Sequence, residues 1–401
     1  MASKQINVGL IGTKFMGRAH SNAYMTVGRF FDLPVDPVMH TVCARDPEAT
    51  PAFARRWGWH NHSLDWQQTI HNEAIDLVDV TTPNNMHKDI AIAALEAGKH
   101  VACEKPLSYT LDEARQMKQA AAKAKRRKQQ TFVWFSYRGC PALALARQLV
   151  QEGRIGRIFH VRANYLQGWA GPDAPLVWRF RGDVAGLGSH GDLGAHSIDA
   201  ARFVTGEEIT EICGSIEQTF IKQRPLPESE GGNIKGVRGK GEKKKRKMGK
   251  VTVDDTVAFL ARFKGGAVAT FEATRFAIGC QNENKIEVHG EKGAIRWNFE
   301  DMNVLWYYNA ADAPERAGWQ RIMATDAGAH PFAHAWWPDA HVLGYEHGFV
   351  NMASSMFTSL GGKKMAVPMP DFEDAYQTQR VLEAAVVSAR ERSWIKVSDI
   401  K

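Results

Sequence analysis

A lysine that follows a short apolar run has a position and a side chain suited to act on a substrate hydroxyl. Residues 100–103 read His-Val-Ala-Cys and are followed directly by Glu104, Lys105 and Pro106. If this run is a strand of a parallel sheet, Lys105 lies at the carboxyl edge of the sheet, where ligands bind. An ammonium group there can donate to a hydroxyl and stabilise negative charge that develops on its oxygen. The alternative is an ordinary surface lysine at a strand end.

Two glycines near the start of the chain are spaced for a phosphate-binding turn. The segment GLIGTKFMG at residues 9–17 lies between an apolar run and a helical pattern, the context that a G-x-G-x-x-G fingerprint requires. Lys14 stands where the central glycine is usual, and it can place a cation beside the phosphates at the helix N-terminus. The predicted dinucleotide contacts of this turn are Gly12, Thr13, Lys14, Phe15 and Met16.

The residues after the second apolar run bear on which dinucleotide is bound. An Asp or Glu at this strand end usually contacts the adenosine ribose of NAD, whereas an arginine can accommodate the 2′-phosphate of NADP. Here the position is occupied by Ala44 and Arg45, and Asp46 follows closely enough to keep NAD open. The sequence therefore predicts NADP or NAD as the cofactor and favours NADP.

Alternating strands and helices must position these residues. Apolar runs predict strands at 6–11, 38–43, 75–81, 100–103 and 131–135, with helical patterns between them. Such alternation predicts a parallel, doubly wound sheet with right-handed crossovers, the architecture that binds dinucleotides. We expect an α/β fold in which residues 1–138 form a Rossmann dinucleotide-binding domain.

The pattern changes after residue 138. Single helices at 141–152 and 191–204 are followed by four strands between residues 257 and 298, joined by tight turns, and a helix at 372–392 follows. Residues 139–401 are therefore predicted to form an α+β domain with a large, mostly antiparallel open sheet. We expect this domain to bind the substrate and to form a homo-oligomer, a dimer or tetramer, through the open sheet.

Four motifs resemble those of the glucose-fructose oxidoreductase and inositol dehydrogenase (Gfo/Idh/MocA) family. They are the glycine turn followed by RAH at residues 18–20, TPNNMH at 82–87, EKP at 104–106 and GDLGAH at 191–196. The resemblance covers the whole chain, with Lys14 and a basic insertion as departures. It implies an NAD(P)-dependent oxidoreductase that transfers hydride between the nicotinamide and a secondary alcohol of a sugar, glycoside, anhydrosugar or cyclitol.

The resemblance also implies which residues are catalytic. It assigns the catalytic lysine to Lys105 and a D-x-x-x-H pair to Asp192 and His196. Residues four apart share one helical face, so both side chains can point toward one substrate carbon. His196 is the expected general base, because histidine is the side chain whose unperturbed pKa lies nearest neutrality, and Asp192 is expected to orient the substrate or the imidazole.

The family pattern extends the list of cofactor contacts. Residues 82–84 look like the family loop that passes the nicotinamide, although Pro83 can equally be ordinary turn chemistry. The cofactor contacts predicted outside the glycine turn are Ala44, Arg45, Thr82, Pro83, Asn84, His87, Glu104 and Lys105.

Aromatic and polar residues indicate a sugar-like substrate. Aromatic faces suit the apolar side of a pyranose, and Trp178 and the stretch HAWWPDAH at 334–341 supply them. These segments resemble family members that oxidise anhydrosugars or glycosides. Trp336 and Trp337 can also belong to a core or an interface. The predicted substrate-binding residues are Lys105, Arg138, Tyr165, Trp178, Arg179, Asp192, His196 and His341.

Two other functions stay open at this point. One is a non-catalytic, dinucleotide-binding regulator or scaffold, which would need none of Lys105, Asp192 and His196. The other is a sugar–sugar oxidoreductase that holds and recycles its cofactor. A long N-terminal arm around the cofactor would favour that alternative, and only a few residues precede the first predicted strand.

Charge and cysteine usage limit the partners and the compartment. The net charge of +7 is concentrated in residues 235–250, which hold nine Lys/Arg and one Glu. We expect a mobile basic loop near 227–250 and no nucleic-acid partner, with an anionic partner as the alternative. The five scattered cysteines lack C-x-x-C spacing, which predicts a reduced, cytoplasmic location and no metal site. Neither a signal peptide nor a membrane partner is expected.

Overall fold

The computed structural model describes residues 4–227 and 246–401, which divide into two structural units. Unit 1 contains residues 4–145 and 323–377, and unit 2 contains residues 146–227, 246–322 and 378–401. This division differs from the predicted boundary between residues 138 and 139, because the chain returns to unit 1 after residue 322.

Unit 1 is built on a six-stranded parallel sheet. Its order is β3-β2-β1-β4-β5-β6, the doubly wound arrangement that the alternating pattern predicted. The interior strands β4 and β5 are apolar throughout most of their length because helices cover both faces of such a sheet. The strands are β1 (Lys4–Ile11), β2 (Val35–Cys43), β3 (Asn61–Ser63), β4 (Leu77–Val80), β5 (His100–Cys103) and β6 (Thr131–Val133).

The predicted helices are found close to their expected positions, whereas α3, α7 and α9 were not predicted. Helix α5, for example, is capped by Thr110, whose hydroxyl accepts the N–H of Glu113 at 3.3 Å, and it carries lysines in its last turn as the helix dipole favours. The helices are α1 (Phe15–Phe30), α2 (Ala49–Trp57), α3 (Trp66–His71), α4 (His87–Glu96), α5 (Leu111–Lys125), α6 (Pro141–Gln151), α7 (Gly182–Ala185), α8 (Ala195–Thr205), α9 (Tyr345–Leu360) and α10 (Phe372–Glu391).

The later segment belongs to unit 1 because α9 completes its hydrophobic core. Phe349, Met352 and Met356 of α9 are buried in the same cluster as Val8 and Leu10 of β1. The N–H of Val133 in β6 also donates to the carbonyl of Pro370 at 2.8 Å. Contacts between such distant parts of a chain leave no local pattern, which is why the sequence did not predict them.

Unit 2 is built on a nine-stranded sheet within the described residues. Its order is β16-β15-β14-β13-β7-β12-β11-β8-β17, and β7 and β12 pair in parallel within an otherwise mostly antiparallel sheet, as predicted. The strands are β7 (Ile158–Leu166), β8 (Ile209–Gln218), β11 (Thr256–Phe263), β12 (Val268–Thr274), β13 (Glu283–Gly290), β14 (Gly293–Asn298), β15 (Val304–Asn309), β16 (Gln320–Met323) and β17 (Ile395–Lys396).

The two faces of this sheet differ in polarity and in whether helices pack on them. Side chains of β11 and β12 alternate between buried and exposed, and α8, which packs against β7, is buried along its whole length. The opposite face exposes large apolar side chains, among them Ile216, Leu260 and Val268. One face therefore belongs to the core of unit 2, and the other is open.

A short hairpin corrects the prediction for the basic segment. Strands β9 (Gln223–Pro225) and β10 (Met248–Lys250) pair in antiparallel fashion, so the last three residues of the stretch expected to be mobile are a paired strand. Most of the predicted basic loop, residues 228–245, lies outside the described residues.

Three further observations concern the remaining predictions. No helix in the described ranges is long and apolar enough to cross a membrane. No group of three or more potential metal ligands occurs among the residues that the structure describes. All five cysteines are free thiols, and all but Cys280 are buried.

Candidate active site

The glycine turn in unit 1 has the geometry of a phosphate-binding turn. Gly12 adopts a φ of +118°, and a Cβ there would lie 2.4 Å from Thr81 Oγ1. A Cβ on Gly17 would lie 2.2 Å from the carbonyl oxygen of Gly12. Both positions therefore require glycine, and the backbone between them leads directly into the N-terminus of α1.

The residues between these glycines are accessible. Lys14 precedes α1 and is exposed, and the exposed ring of Phe15 stacks on Tyr345 with the ring centroids 6.0 Å apart. Thr13 and Met16 are half-buried. This part of the turn offers an ammonium group and free backbone at a helix N-terminus, which together suit an anion.

The end of β2 presents an arginine rather than a carboxylate. Ala44 is half-buried and Arg45 is exposed. Asp46 Oδ1 accepts the N–H groups of Glu48 at 3.0 Å and Ala49 at 2.8 Å at the start of α2. These bonds, with the nearby charge of Lys14, hold the pKa of Asp46 below its usual value. Asp46 is therefore engaged in capping its own helix.

His87 connects the loops that follow β4 and β5. Its ring is fully buried, with Nε2 2.9 Å from the carbonyl oxygen of Thr82 and Nδ1 3.1 Å from that of Pro106. Burial lowers the pKa of His87, against the opposing effect of these carbonyls. Pro83 and the buried Asn84 lie in the same loop, beside His87. The contacts of His87 make it a link between two loops.

Glu104 is directed into the protein. Its carboxylate is buried, with Oε1 2.9 Å from His20 Nε2, and Oε2 accepts the backbone N–H of Lys105 at 3.1 Å. The sequence predicted Glu104 as a cofactor contact. These contacts instead give it a role in fixing the turn that carries Lys105, whose side chain is half-buried at the carboxyl end of β5.

His20 lies between two carboxylates. Its Nδ1 is 2.7 Å from Asp79 Oδ2, and the rings of Trp134 and Phe349 lie 4.2 and 5.7 Å away. Although burial alone lowers the pKa of His20, the charges and hydrogen bonds of Asp79 and Glu104 raise it to about 9. The sequence showed His20 only as part of the RAH motif and assigned it no role.

In unit 2, Asp192 is held by two arginines. It lies in a π-helical turn, His190–Gly194, that leads into α8, so the regular helical spacing assumed from the sequence is locally widened. Arg275 Nη2 donates to Asp192 Oδ2 at 3.0 Å, and Arg179 Nε lies 3.6 Å from the same oxygen. With 23% of its side chain exposed, Asp192 is an ion-paired carboxylate that still reaches solvent.

Arg275 was missed by sequence reasoning. Its side chain is buried, and it also donates to the carbonyl oxygens of Arg179 at 3.2 Å and Gly188 at 3.1 Å. The sequence showed only an arginine two residues after a predicted strand at 267–273. Nothing in its spacing linked it to Asp192.

His196 and Tyr165 also lie close together in unit 2. Their ring centroids are 5.8 Å apart, and the Tyr165 hydroxyl donates to Asn282 Oδ1 at 2.7 Å. Trp178 is covered by the guanidinium of Arg179, 4.5 Å from the ring centroid. The structure thus places five of the predicted residues of unit 2 in two contact groups, Tyr165 with His196, and Arg179 with Trp178 and Asp192.

The other predicted substrate residues lie in unit 1. Arg138 is buried and donates to Asp374 at 2.9 Å, whereas His341 is exposed, with Nδ1 2.8 Å from the carbonyl oxygen of Pro338. Trp336 packs on Phe30, with centroids 4.4 Å apart, and donates to Asn351. Trp336 therefore packs within unit 1, in line with the core alternative that the sequence left open.

The chain matches known proteins over nearly its whole length. Residues 6–132 match the oxidoreductase family with an NAD-binding Rossmann fold, and residues 143–296 match the GFO/IDH/MocA C-terminal domain. Levoglucosan dehydrogenase of Pseudarthrobacter phenanthrenivorans is 40% identical over 99% of both chains.

Solved structures agree with this similarity. An oxidoreductase domain protein from Kribbella flavida is 46% identical, with a TM-score of 0.90 over 98% of this chain and 99% of that one. Levoglucosan dehydrogenase in complex with NADH and levoglucosan is 38% identical, with a TM-score of 0.88 over 98% and 100%. The predicted family and fold are confirmed: the chain is a member of the GFO/IDH/MocA oxidoreductases and carries their NAD-binding Rossmann fold.

Proposed function

We propose that this oxidoreductase is an NAD(P)-dependent dehydrogenase that oxidises a secondary alcohol of a sugar, anhydrosugar, glycoside or cyclitol. The observation that carries the proposal is Lys105 at the carboxyl edge of the Rossmann sheet, on a turn fixed by the buried Glu104. Full-length similarity to levoglucosan dehydrogenase supports a sugar-like substrate.

The cofactor is proposed to lie on the glycine turn. Gly12 and Gly17 permit the tight turn, since a Cβ at either position would collide with Thr81 or with the Gly12 carbonyl, and Lys14 and the N-terminus of α1 offer positive charge to a pyrophosphate. Thr13, Phe15, Met16 and residues 82–84 are the proposed neighbours of the dinucleotide, the latter toward its nicotinamide. These residues would hold the dinucleotide, whose nicotinamide would supply the hydride acceptor for the reaction.

Each of the three catalytic residues is proposed to have a distinct role. His196 takes the hydroxyl proton while the C–H bond gives up a hydride, so the alcohol carbon loses two electrons and becomes a carbonyl. Lys105 donates to the oxygen and stabilises the negative charge that develops there. Asp192, an ion-paired carboxylate, accepts a hydrogen bond from a neighbouring substrate hydroxyl and orients the ring.

Substitution of Lys105 by methionine tests this assignment. We expect kcat to fall by about 10²–10³-fold, the usual effect of removing a donor to a developing oxyanion. The Kd for NAD(P)H, measured by fluorescence titration, should change little because Lys105 acts on the substrate. Near-normal turnover of Lys105→Met would instead favour a binding protein or another catalytic group.

The cofactor choice is proposed to favour NADP. Arg45 is exposed at the end of β2, Lys14 is close enough to influence Asp46, and the carboxylate of Asp46 is engaged in capping α2. A 2′-phosphate would therefore meet two cations beside a carboxylate that already accepts two backbone N–H groups. Three structures of levoglucosan dehydrogenase contain NADH, which makes NAD the competing outcome.

The substrate is proposed to be an anhydrosugar or a related pyranose. Structures of levoglucosan dehydrogenase are described with levoglucosan and with L-sorbose, and the similarity to this chain covers nearly all of both proteins. The test is a panel of levoglucosan, glucose, a methyl glucoside and myo-inositol with each cofactor, followed by NAD(P)H absorbance. Oxidation of myo-inositol alone would move the substrate to the cyclitols.

We also propose a cytoplasmic homo-oligomer. The five free cysteines favour a reducing compartment, and the open face of the unit 2 sheet exposes Ile216, Leu260 and Val268 as a contact surface. No nucleic-acid or membrane partner is proposed.

A further inference from the structure

We infer that His20 is a positioning residue. Its protonated imidazolium ring holds Glu104 and thereby fixes the backbone at Lys105. The inference rests on the proposed catalytic role of Lys105. It assigns a function to a buried charged cluster, His20, Asp79 and Glu104, that the proposed reaction does not itself use.

With Asp79 and Glu104 both ionised, the hydrogen-bond geometry requires two N–H donors on the ring. Nδ1 is 2.7 Å from a carboxylate oxygen of Asp79, and Nε2 is 2.9 Å from one of Glu104. An ionised carboxylate only accepts, and a neutral imidazole has one N–H. Two ionised carboxylates can therefore both be satisfied only by a protonated His20.

Burial favours a charged partner for carboxylates that stay ionised. His20 and Asp79 are fully buried and Glu104 nearly so, and unpaired carboxylates in such surroundings are strongly unfavourable. Asp79 has two further donors, the hydroxyl of Tyr24 at 2.7 Å and the indole N–H of Trp134 at 3.0 Å. Glu104 is bonded by His20 on one oxygen and by the Lys105 N–H on the other, so the loss of His20 removes a main restraint on it.

The cluster joins three elements of unit 1 next to the turn that carries Lys105. His20 is on α1, Asp79 is in β4, and Glu104 directly follows β5. Gly17 lies one turn before His20 on α1, so the helix that begins at the glycine turn also holds the lysine turn. The N–H of Glu104 donates to the carbonyl of Val80 at 2.9 Å, which fixes the same turn against β4.

The principal test is His20→Gln, which removes the charge and keeps an amide of similar reach. We expect kcat to fall about tenfold or more, while the Kd for NAD(P)H stays within about threefold, because only the orientation of Lys105 is altered. The matched control is Lys99→Met. Lys99 is a buried cation at the amino end of β5, bonded to the carbonyls of Asn72 and Ile75 at 2.8 Å, and its loss should lower stability but not kcat.

A double-mutant cycle with Glu104→Gln separates positioning from general destabilisation. If His20 acts through Glu104, the double variant should lose no more kcat than the worse single variant. A folded His20→Gln with normal kcat, or losses that multiply independently, would overturn the inference. Near-normal turnover of Lys105→Met overturns the proposed function, whereas a normal His20→Gln beside an inactive Lys105→Met overturns only the positioning role.

A measurement on the unaltered enzyme covers the case in which His20→Gln does not fold. Histidine-selective ¹⁵N NMR near neutral pH should show one buried ring with both nitrogens protonated, and Glu104→Gln should shift that signal. A neutral ring at this position would contradict the inference.

Discussion

Asp192 shows how much a single side chain depends on partners that are distant in sequence. Its carboxylate receives a hydrogen bond from Arg275 and lies near Arg179, so it is paired with cations and oriented while part of it remains exposed. An ionised carboxylate can accept from a hydroxyl but cannot donate a proton to one. This is why we propose Asp192 as an orienting group and His196 as the base.

Arg275→Met should therefore lower kcat/KM about ten- to hundredfold, the range expected when a charge-assisted hydrogen bond of about 1.5–3 kcal/mol is lost. Arg275→Lys should recover part of the loss, since it restores the charge without the planar fork. Steady-state kinetics on the substrate that the panel identifies provides the measurement.

Arg224→Met is the matched control for this substitution. Arg224 is also buried in unit 2 and covers Phe180, but its hydrogen bonds go to the carbonyls of Ala170 and Gly171. Its loss should reduce thermal stability and leave kcat/KM of the folded enzyme nearly unchanged. Equal kinetic losses in both variants would mean that Arg275 acts only through the fold.

The cofactor preference is also decided at single residues. Arg45 can bind a 2′-phosphate with a planar fork of donors, and such a contact is worth about a tenfold to hundredfold preference for NADP. We expect Ala44→Asp combined with Arg45→Ala to shift kcat/KM toward NAD. If the unaltered enzyme already prefers NAD, Arg45 has no phosphate role.

At the scale of elements, the buried cluster between α1, β4 and β5 should make stability depend on pH. His20 has a pKa of about 9 in the folded protein against 6.5 for an unperturbed histidine. A raised pKa adds stability that is complete below about pH 6.5 and is lost as the pH rises through 9, up to the order of 3 kcal/mol. Urea unfolding at several pH values between 6 and 10 measures this loss.

Among the groups of this buried cluster, His20 is the one expected to titrate between pH 6 and 10. Burial and the neighbouring carboxylates raise the pKa of Tyr24 and of Cys103 well above their usual values, so both stay neutral. Asp79 and Glu104 face the ring as its carboxylate partners, and Trp134 and Phe349 are apolar neighbours. In His20→Gln the difference in stability between pH 6.5 and 9.5 should shrink; an unchanged difference would assign it to other groups.

The hydrophobic periodicity of the sequence predicted most of these helices and strands, because apolar residues recur on the buried face of each element. The strands of unit 1 other than β3, and strands β11 to β14 of unit 2, followed from apolar runs and tight turns. The π-helical turn at Asp192 and the pairing of β9 with β10 did not, since a widened helical turn and a three-residue strand leave no period to detect. Glu104 was placed at the right strand end, but its inward direction depends on His20, which only the fold brings near.

At the scale of the whole molecule, the open face of the unit 2 sheet is the proposed contact between copies of the chain. Leu260→Lys should shift the mass measured by light scattering toward the monomer, because a charge would enter an apolar interface. Leu64→Lys, at an equally exposed apolar residue of unit 1, is the control and should leave the mass unchanged. An unchanged mass for Leu260→Lys would exclude this face.

The domain plan was the least predictable feature, because it depends on which distant segments meet. The alternating pattern ends near residue 138, yet unit 1 also takes in residues up to 145 and the segment 323–377. Gly139 shows how close the two segments come: a Cβ there would lie 2.2 Å from the carbonyl oxygen of Gly348. The sequence marks Gly139 only as a glycine near a strand end.

This split plan has a consequence for biosynthesis. The core around β1 and α1 includes side chains of α9, so an emerging polypeptide that has reached only residue 145 cannot yet bury Val8 and Leu10 as the native protein does. At about 5–20 residues per second, the ribosome needs roughly 10–50 s to deliver the missing segment. During that interval the apolar surface of the first segment is available to chaperones and to aggregation, and an isolated fragment 4–145 should be insoluble or chaperone-bound.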